Sequence, residues 1–369
     1  MTREKFHLNG AHYLLSHSIG AQPKAYDAHM RETFAGPWRE NGPAAWDAWL
    51  ATLEDFKTGL APLIGAAAGD VCPQTNISSA LTKILFSLPE RPGRKKIVLS
   101  EDDFPTCGFV MKQAERLGYE LVFLSGGEAL ADADHWTRAI GDDVQLVLVT
   151  HVFSNSSIRA PVEEIAAHAR KKGAYTIVDI AQSAGAVPIR LDDWAADFAV
   201  GTCLKYLCGG PGAAYLWARA DTAQDCAPFD VGWFSHKRPF AFDIHDFEYG
   251  DGATRFMGGT PSIAPFAGAR PAFDILREAG VDKVFAHNQA LLSRLTAALP
   301  PSAFLSTTKE GARGSAALIK PRDLDGALGA LKERGVVHDQ RLGAVRISIH
   351  LYNDETDIDA VVEAVTPFL

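Results

Sequence analysis

Short apolar runs alternate with amphipathic segments between about residue 65 and residue 220, and this alternation constrains the fold more than any other feature. Runs rich in β-branched residues predict five strands: KIVLS (96–100), YELVFL (119–124), VQLVLVTH (144–151), AYTIVDI (174–180) and DFAVGT (197–202). The segments between them, TCGFVMKQAERLG, DADHWTRAIG and PVEEIAAHARKKG, have the pattern of helices. Strand–helix–strand alternation predicts an α/β fold with a mostly parallel sheet covered by helices on both faces.

The remaining segments predict a second, smaller domain. Residues 24–65 have a helical pattern, whereas residues 221–260 are rich in Pro, Gly and aromatic side chains and indicate an extended connection. Beyond them, GSAALIKP, DLDGALGALKERG, VRISIH and TDIDAVVEAVTPFL indicate strand, helix, strand and helix. A chain of 369 residues favours two domains. We therefore expect an N-terminal arm and large domain over 1–250 and a small α+β domain over 251–369.

Charge and cysteine usage restrict the class of protein. A formal net charge of −9 disfavours broad binding to nucleic acid or to an anionic membrane. The five cysteines are an odd number without zinc-ligand spacing, which indicates free thiols in a reducing compartment and predicts no metal. No secretory signal or apolar run of transmembrane length is evident. We expect a cytoplasmic enzyme.

The segment GTCLKYLCGGPG (201–212) places Lys205 in an apolar and glycine-rich setting just after a predicted strand. Lysines usually extend their charged ends to solvent, and that remains one interpretation. Apolar surroundings, however, lower the pKa of a lysine amine, which can then form a Schiff base with an aldehyde near neutral pH. The segment on its own leaves both interpretations open.

Three further positions could belong to a binding site. Asp179 ends a predicted strand, where parallel sheets form ligand crevices; it is either a helix cap or a buried carboxylate beside a pyridine nitrogen. Thr75 and Asn76 precede an amphipathic helix, whose N-terminus either is merely capped or binds an anion. The ring of Phe104 either lies over a bound heteroaromatic group or belongs to the core. No Walker A or dinucleotide-binding motif is present.

These residues together resemble the class V aminotransferases, a group of enzymes dependent on pyridoxal 5'-phosphate (PLP). VDIAQSAGAVPIRLDDWAADFAVGTCLKYLCGGPG is similar to the cofactor-lysine region of that group, and most similar to kynureninase-like members. VGWFSH, TRFMGGTPS and VRISIHLYNDETDIDAVVEAV match further segments in the same order. The resemblance implies PLP-transferase fold type I, with a seven-stranded sheet in the large domain.

The resemblance also implies roles for the cofactor-binding residues. Lys205 is expected to form the internal aldimine, Asp179 to pair with the pyridinium nitrogen, and Gln182 to contact the 3′-oxygen. Phe104 is expected to stack on the ring. The residues expected at the phosphate are Thr75, Asn76 and Thr202.

Substrate binding and assembly follow from the same resemblance. Arg346 is expected to bind the substrate α-carboxylate as a bidentate fork. His17 and Ser18 lie in LLSHSIGAQP, which resembles a loop that closes over the substrate. Family members share their active sites across a homodimer, so Trp233 and Thr260 are expected to reach the phosphate in the partner subunit.

Departures from the kynureninase pattern bear on the reaction. Gln182 stands where kynureninases have His, Leu204 where they have Tyr, and Cys107 where they have Asp. We expect a PLP-dependent enzyme that acts on a small α-amino acid by transamination or β-lysis. The alternatives are kynureninase-type hydrolysis of a Cβ–Cγ bond, a non-catalytic PLP-binding protein, and an α/β nucleotide-binding protein without PLP.

Overall fold

A computed structural model describes residues 2–369 of the chain. Two groups of strands stand out, one from the first two thirds of the chain and one from the last third. The strands are β1 (His12–Tyr13), β2 (Val71–Gln74), β3 (Lys96–Ser100), β4 (Glu120–Leu124), β5 (Val144–Thr150), β6 (Tyr175–Asp179), β7 (Phe198–Thr202), β8 (Ala214–Ala218), β9 (Ala316–Ile319), β10 (Val336–Val337), β11 (Asp339–Arg341) and β12 (Ala344–Ser348).

Helices connect these strands. They are α1 (Tyr26–Met30), α2 (Gly36–Asn41), α3 (Ala45–Leu60), α4 (Ile77–Leu85), α5 (Pro105–Met111), α6 (Ala133–Thr137), α7 (Val162–Lys172), α8 (Ala220–Asp225), α9 (Ala264–Ala279), α10 (Val281–Ala298), α11 (Leu324–Glu333) and α12 (Glu355–Val365). Helix α7 begins after Pro161 and ends at Lys172, and the following Gly173 has a φ of 72°, the left-handed conformation that glycine tolerates best. No helix within residues 2–369 is long and apolar enough to cross a membrane.

The large sheet has seven strands in the order β2-β8-β7-β6-β5-β3-β4. All neighbours pair in parallel except for β8, which runs antiparallel to both β2 and β7. This confirms the expected α/β fold and the five predicted strands. Strands β2 and β8 were not predicted. Pro73 makes β2 atypical for a strand, and it is tolerated because β2 lies at the edge of the sheet.

Both faces of the large sheet are buried. In β3, Val98 packs into one hydrophobic cluster, whereas Ile97 and Leu99 pack into another. Successive side chains of a strand point to opposite faces, so the two clusters lie on opposite sides of the sheet. Burial on both faces explains why the central strands are continuously apolar instead of alternating.

The C-terminal part contains an antiparallel sheet in the order β11-β12-β9. The N-terminal arm joins it, because β1 pairs in parallel with β10 and Leu14 packs into the core around this sheet. Helix α9 packs against α3, and its Phe266 and Phe273 belong to a large-domain cluster. The boundary at residue 250 stays a prediction, since α9 lies beyond it in sequence yet contributes to the large core.

Candidate active site

A cavity of about 310 Å³ opens at the carboxyl edge of the large sheet, within the size range of small-molecule sites. Thr150, Asp179 and Thr202 are the last residues of β5, β6 and β7, and Phe104 follows β3. Parallel strands bring these positions to one edge, as the sequence pattern predicts. The cavity is lined by Thr75, Asn76, Ile77, Ser78, Phe104, Thr106, Cys107, Thr150, Val152, Ser154, Asp179, Ala181, Gln182, Thr202, Leu204, Lys205, Pro211 and Gly212.

Lys205 lies in a tightly held loop between β7 and β8. The N–H of Cys208 donates to the carbonyl of Lys205 at 2.9 Å, and that of Gly209 donates to Cys203 at 2.7 Å. Burial lowers the pKa of Lys205, although the nearby Asp179 carboxylate opposes this effect. The lysine therefore faces the cavity and is not a solvated surface residue, and its amine is shifted toward the neutral, nucleophilic form.

The N-terminal arm packs directly on this loop. The N–H of Gly20 donates to the carbonyl of Leu204 at 2.8 Å. A Cβ atom at Gly20 would overlap with the carbonyl oxygen of Lys205 and would lie 2.8 Å from the sulfur of Cys208. Glycine is thus required here for close approach of two backbones.

Asp179 is a buried carboxylate at the base of the cavity, with 5% of its surface exposed. Its Oδ1 accepts the N–H of Ala181 at 2.8 Å, and the Cys107 thiol lies 3.5 Å from its Oδ2. Burial raises the pKa of Asp179, while Lys205 opposes that shift. Burial also raises the pKa of Cys107 well above its ordinary value, so it stays a thiol that donates to the carboxylate. A cationic partner at Oδ2 would offset the desolvation of Asp179.

Phe104 is positioned by a short turn after β3. Asp103 holds this turn, because its Oδ2 accepts the N–H of Ser100 at 2.8 Å and its Oδ1 accepts the hydroxyl of Thr150 at 2.6 Å. The Lys205 Nζ lies 5.6 Å from the centroid of the Phe104 ring. The ring is 40% exposed and lines the cavity, so it is not a core residue.

The N-terminus of α4 forms another wall. The Asn76 Oδ1 caps the helix by accepting the N–H of Ser79 at 2.8 Å. Ile77 and Ser78, the first two helical residues, line the cavity together with Thr75. The first N–H groups of a helix have no intrahelical partner and favour anions. This wall combines backbone donors with hydroxyl groups, which suits a phosphate.

His17 and Gln182 connect the N-terminal arm to the site. The Gln182 side chain lines the cavity and donates to the carbonyl of His17 at 3.0 Å. Burial lowers the pKa of His17 to about 4, so its imidazole is neutral at physiological pH. Ser18 is half-buried and lies outside the lining of the cavity. The roles expected for His17 and Ser18 toward the substrate stay predictions.

Arg346 lies near the cavity but already holds a carboxylate. Its Nε lies 2.8 Å from Oδ1 of Asp339 and its Nη2 lies 2.5 Å from Oδ2, a bidentate ion pair. His17 Nε2 donates to the same Asp339 Oδ1 at 2.9 Å. The binding of a substrate carboxylate by Arg346 stays a prediction, and such binding would have to displace Asp339.

Trp233 and Thr260 lie together outside the cavity. The indole N–H of Trp233 donates to the hydroxyl of Thr260 at 3.2 Å. Thr260 borders a neighbouring pocket that also contains Thr75 and Lys83. Within one chain these two residues therefore do not join the cavity around Lys205. Their expected contact with the phosphate in a partner subunit stays a prediction.

The donor set of the cavity fits PLP. Lys205 supplies an amine for the aldehyde, Asp179 a carboxylate for the ring nitrogen, Phe104 an aromatic face, and α4 an anion-binding end. The fit rests on the buried Asp179 carboxylate, which has no cationic side chain bonded to it within residues 2–369. Sequence reasoning did not identify Thr150 as part of the site, although its place at the end of β5 could have indicated it. It also missed Ser154, which lines the cavity, Asp339, which pairs with Arg346, and Arg341, whose Cζ lies 5.8 Å from the centroid of the Phe104 ring.

Comparisons with known proteins extend this description. A model of the family described as Aminotransferase class-V matches residues 31–361. Kynureninase from Burkholderia pseudomallei (strain 1106a) is 30% identical over 358 residues, covering 92% of this chain and 84% of the relative.

Two solved structures of the protein C-DES share the fold. One is a variant with glycine covalently linked to the PLP cofactor, 20% identical, with a TM-score of 0.89 and complete coverage of both chains. The other is the cystine C–S lyase C-DES in complex with its reaction product cysteine persulfide, 20% identical, with a TM-score of 0.86 and 98% of both chains covered. These likenesses confirm the expected fold.

Proposed function

The chain belongs to the class V aminotransferase family of PLP-dependent enzymes, and from this we propose that it deprotonates a small α-amino acid at Cα and completes a transamination or a β-lysis. The observation that carries the proposal is the meeting of Lys205 and Asp179 in one cavity at the carboxyl edge of the sheet. Amine and carboxylate are the two groups that this cofactor requires at opposite ends of its ring system.

Bound PLP withdraws electrons from the amino acid and so stabilises the negative charge left at Cα when a bond there breaks. Asp179 holds the proton on the ring nitrogen through a charge-assisted hydrogen bond. The Lys205 amine, shifted toward its neutral form by burial, accepts the proton from Cα. Phe104 fixes the plane of the ring, and the α4 N-terminus with Thr75 and Asn76 binds the phosphate.

Leu204 supports transamination or β-lysis over hydrolysis of a γ-carbonyl. This residue lines the cavity immediately before Lys205, and no tyrosine of residues 2–369 lines it. An apolar side chain cannot donate a proton to a developing oxyanion. Lys205, by contrast, suffices to move a proton from Cα in transamination or β-lysis.

Kynureninase-type hydrolysis is the second candidate. It is favoured by the kynureninase relative, which is 30% identical over 92% of this chain. The differences from kynureninases at Gln182, Leu204 and Cys107 count against it, because all three residues line the cavity and change its polar groups.

A panel of amino acids separates these reactions. The purified PLP-loaded protein is mixed with each amino acid, with and without an α-keto acid acceptor. Keto acid formed together with ammonia indicates β-elimination, and keto acid formed only with an acceptor indicates transamination. Anthranilate released from kynurenine would contradict the preferred proposal and establish the second candidate. The Lys205→Ala variant serves as the inactive control in every arm.

We further propose that the protein is a homodimer in the cytoplasm. Phe229, Phe242 and Ile244 are 80%, 78% and 91% exposed, and they lie in the segment that contains Trp233. An apolar surface of this kind favours association. All five cysteines are free, which suits a reducing compartment. Sedimentation of a monomer at micromolar concentration would contradict the dimer, and recovery in a membrane or secreted fraction would contradict the location.

A further inference from the structure

A second pocket, of about 190 Å³, adjoins the cavity around Lys205, because Thr75 lines both. One side of this pocket is formed by Ser79 and Lys83 of α4. The other side is formed by the segment FMGGT, which we call the 256–260 loop. The loop therefore lies directly against the helix whose N-terminus is expected to bind the cofactor phosphate.

Lys83 is a buried lysine that the proposed reaction does not use, with 7% of its surface exposed. Its Nζ donates to the carbonyl oxygens of Phe256 at 2.8 Å and Met257 at 3.1 Å, and it lies 3.4 Å from Oδ2 of Asp230. A lysine side chain has three N–H donors, so these contacts account for all of them. Lysines usually extend to solvent, and the burial of this one is offset mainly by acceptors of the 256–260 loop.

The loop is also held from its other side. The N–H of Gly258 donates to the hydroxyl of Ser235 at 2.8 Å, and the indole N–H of Trp233 donates to the hydroxyl of Thr260 at 3.2 Å. Gly258 has a φ of 91°, in the left-handed region, and a Cβ atom there would lie 3.2 Å from the Lys83 Nζ. The left-handed backbone and the close approach of Lys83 both favour glycine at this position.

Thr260 keeps a hydroxyl proton that it can donate. An indole N–H is only a donor, so the bond from Trp233 occupies a lone pair of the Thr260 oxygen and not its proton. Thr260 is exposed, and the Trp233 ring stacks on Phe242 with ring centroids 6.0 Å apart. Phe242 belongs to the exposed apolar surface that we propose for dimer contact. A donor beside this surface can serve an acceptor in the partner subunit.

We propose that Lys83 is a positioning residue that fixes the 256–260 loop, so that Thr260 donates to the cofactor phosphate in the partner subunit. Helix α4 carries Lys83 and binds phosphate in its own subunit, so one lysine joins the two phosphate sites of the dimer. Without the Lys83 contacts, the loop gains conformational freedom, which is lost again when Thr260 binds the phosphate. This inference rests on the proposed homodimer and on the contact expected for Thr260, and it adds the residue that prepares the loop for that contact.

Mixed dimers separate an effect on the partner subunit from an effect within one chain. Two differently tagged chains are coexpressed and purified through both tags, and the aldimine is followed by its visible absorption during titration with PLP. Lys205→Ala in one chain confines the aldimine to the other chain. In the trans dimer, the chain with Lys205→Ala also carries Lys83→Met, and its partner is the parent chain. In the cis dimer, Lys83→Met is placed in the chain that keeps Lys205.

Lys83→Met should weaken PLP binding about tenfold in the trans dimer, because a hydrogen bond to a charged group is lost, and should leave it unchanged in the cis dimer. Lys83→Arg keeps donors for the two carbonyl oxygens and should retain most of the affinity. Thr260→Val changes an exposed residue and should produce the same asymmetry. Arg94 supplies a matched control, since it also donates to two main-chain carbonyls, at 2.8 and 2.7 Å. Arg94→Met should leave PLP affinity unchanged in both dimers.

A loss of affinity confined to the cis dimer would show that Lys83 only supports α4 of its own chain, and this result would overturn the inference. An equal loss in both dimers, or no loss in the trans dimer, would overturn it as well. Unchanged affinity in the trans dimer with Thr260→Val would do the same, even if Lys83→Met does not fold. A parent protein that sediments as a monomer, or that forms no aldimine band with PLP, would instead refute the proposed function.

Discussion

Replacement of Asp179 by asparagine removes the charge that the site offers to the cofactor ring while it preserves the shape of the side chain. The amide oxygen can still accept the N–H of Ala181, which lies 2.8 Å from Oδ1 in the structure. What is lost is the anionic Oδ2, which now accepts from the Cys107 thiol at 3.5 Å. The variant therefore isolates the interaction with the ring nitrogen from the folding of β6.

The expected magnitude follows from the loss of one hydrogen bond to a charged group. Such a bond contributes about 1.5–3 kcal/mol, and each 1.4 kcal/mol is a factor of ten in affinity, so PLP should bind roughly 10- to 100-fold more weakly. The catalytic rate should fall further, because a ring nitrogen without a proton withdraws electrons less strongly.

The assay is a titration of the cofactor-free protein with PLP, followed by the visible absorption of the complex. Asp197 supplies a matched control, since it is also a carboxylate with 5% of its surface exposed. Its oxygens accept the N–H of Thr176 and the hydroxyl of Thr222, both at 2.8 Å, away from the cavity. Asp197→Asn should lower stability but leave PLP affinity unchanged. Equal affinity in Asp179→Asn and the parent protein, or an equal loss in Asp197→Asn, would refute the reasoning.

Two further predictions concern the supports of the site. Gly20→Ala should cost about 1–3 kcal/mol of unfolding free energy by overpacking and should weaken PLP binding, because the new Cβ collides with the Lys205 loop. Gly329→Ala serves as the control, because Gly329 lies in helix α11 and its added Cβ would have no atom within 4 Å. This variant should raise the free energy of unfolding by about 0.5–1 kcal/mol. Equal melting temperatures of Gly20→Ala and Gly329→Ala would contradict this account. Burial raises the pKa of the Asp103 carboxyl group from 3.8 to about 7. Between these two pH values the folded state keeps a proton on Asp103 that the unfolded state has released. The free energy of unfolding should therefore fall as pH rises between these two values, and Asp103→Asn should remove this slope in urea titrations; identical pH profiles would contradict it.

The sequence predicts the parallel part of the fold because the relevant signals are local. Central strands buried on both faces are continuous apolar runs, and glycine and proline mark the ends of α7. The rule that ligands bind at the carboxyl ends of parallel strands then places Asp179 at the site without knowledge of the structure, whereas Thr202 was expected there only from the family resemblance. Strand β8 escaped prediction because it runs antiparallel and follows a loop, not a helix.

The wall formed by β11 and β12 could not be predicted in the same way. The pairing of Asp339 with Arg346 depends on the register of two short antiparallel strands, and nothing in the spacing of seven residues indicates it. Burial keeps His17 neutral, and it depends on the packing of the N-terminal arm against residues more than 300 positions away in sequence, such as Ser348, which accepts the backbone N–H of His17. The hydrogen bond between His17 and Asp339 opposes this effect by raising the pKa of His17. Contacts that depend on strand register or on the packing of distant segments leave no local pattern in the sequence.

The covalent attachment of the cofactor tests the central claim most directly. The PLP-loaded protein is reduced with borohydride, digested and analysed by mass spectrometry. The account predicts a pyridoxyl group on the peptide that contains Lys205, and its absence from the Lys205→Ala variant. A pyridoxyl group on a different lysine, or no modified peptide from a protein that was saturated with PLP, would contradict the account.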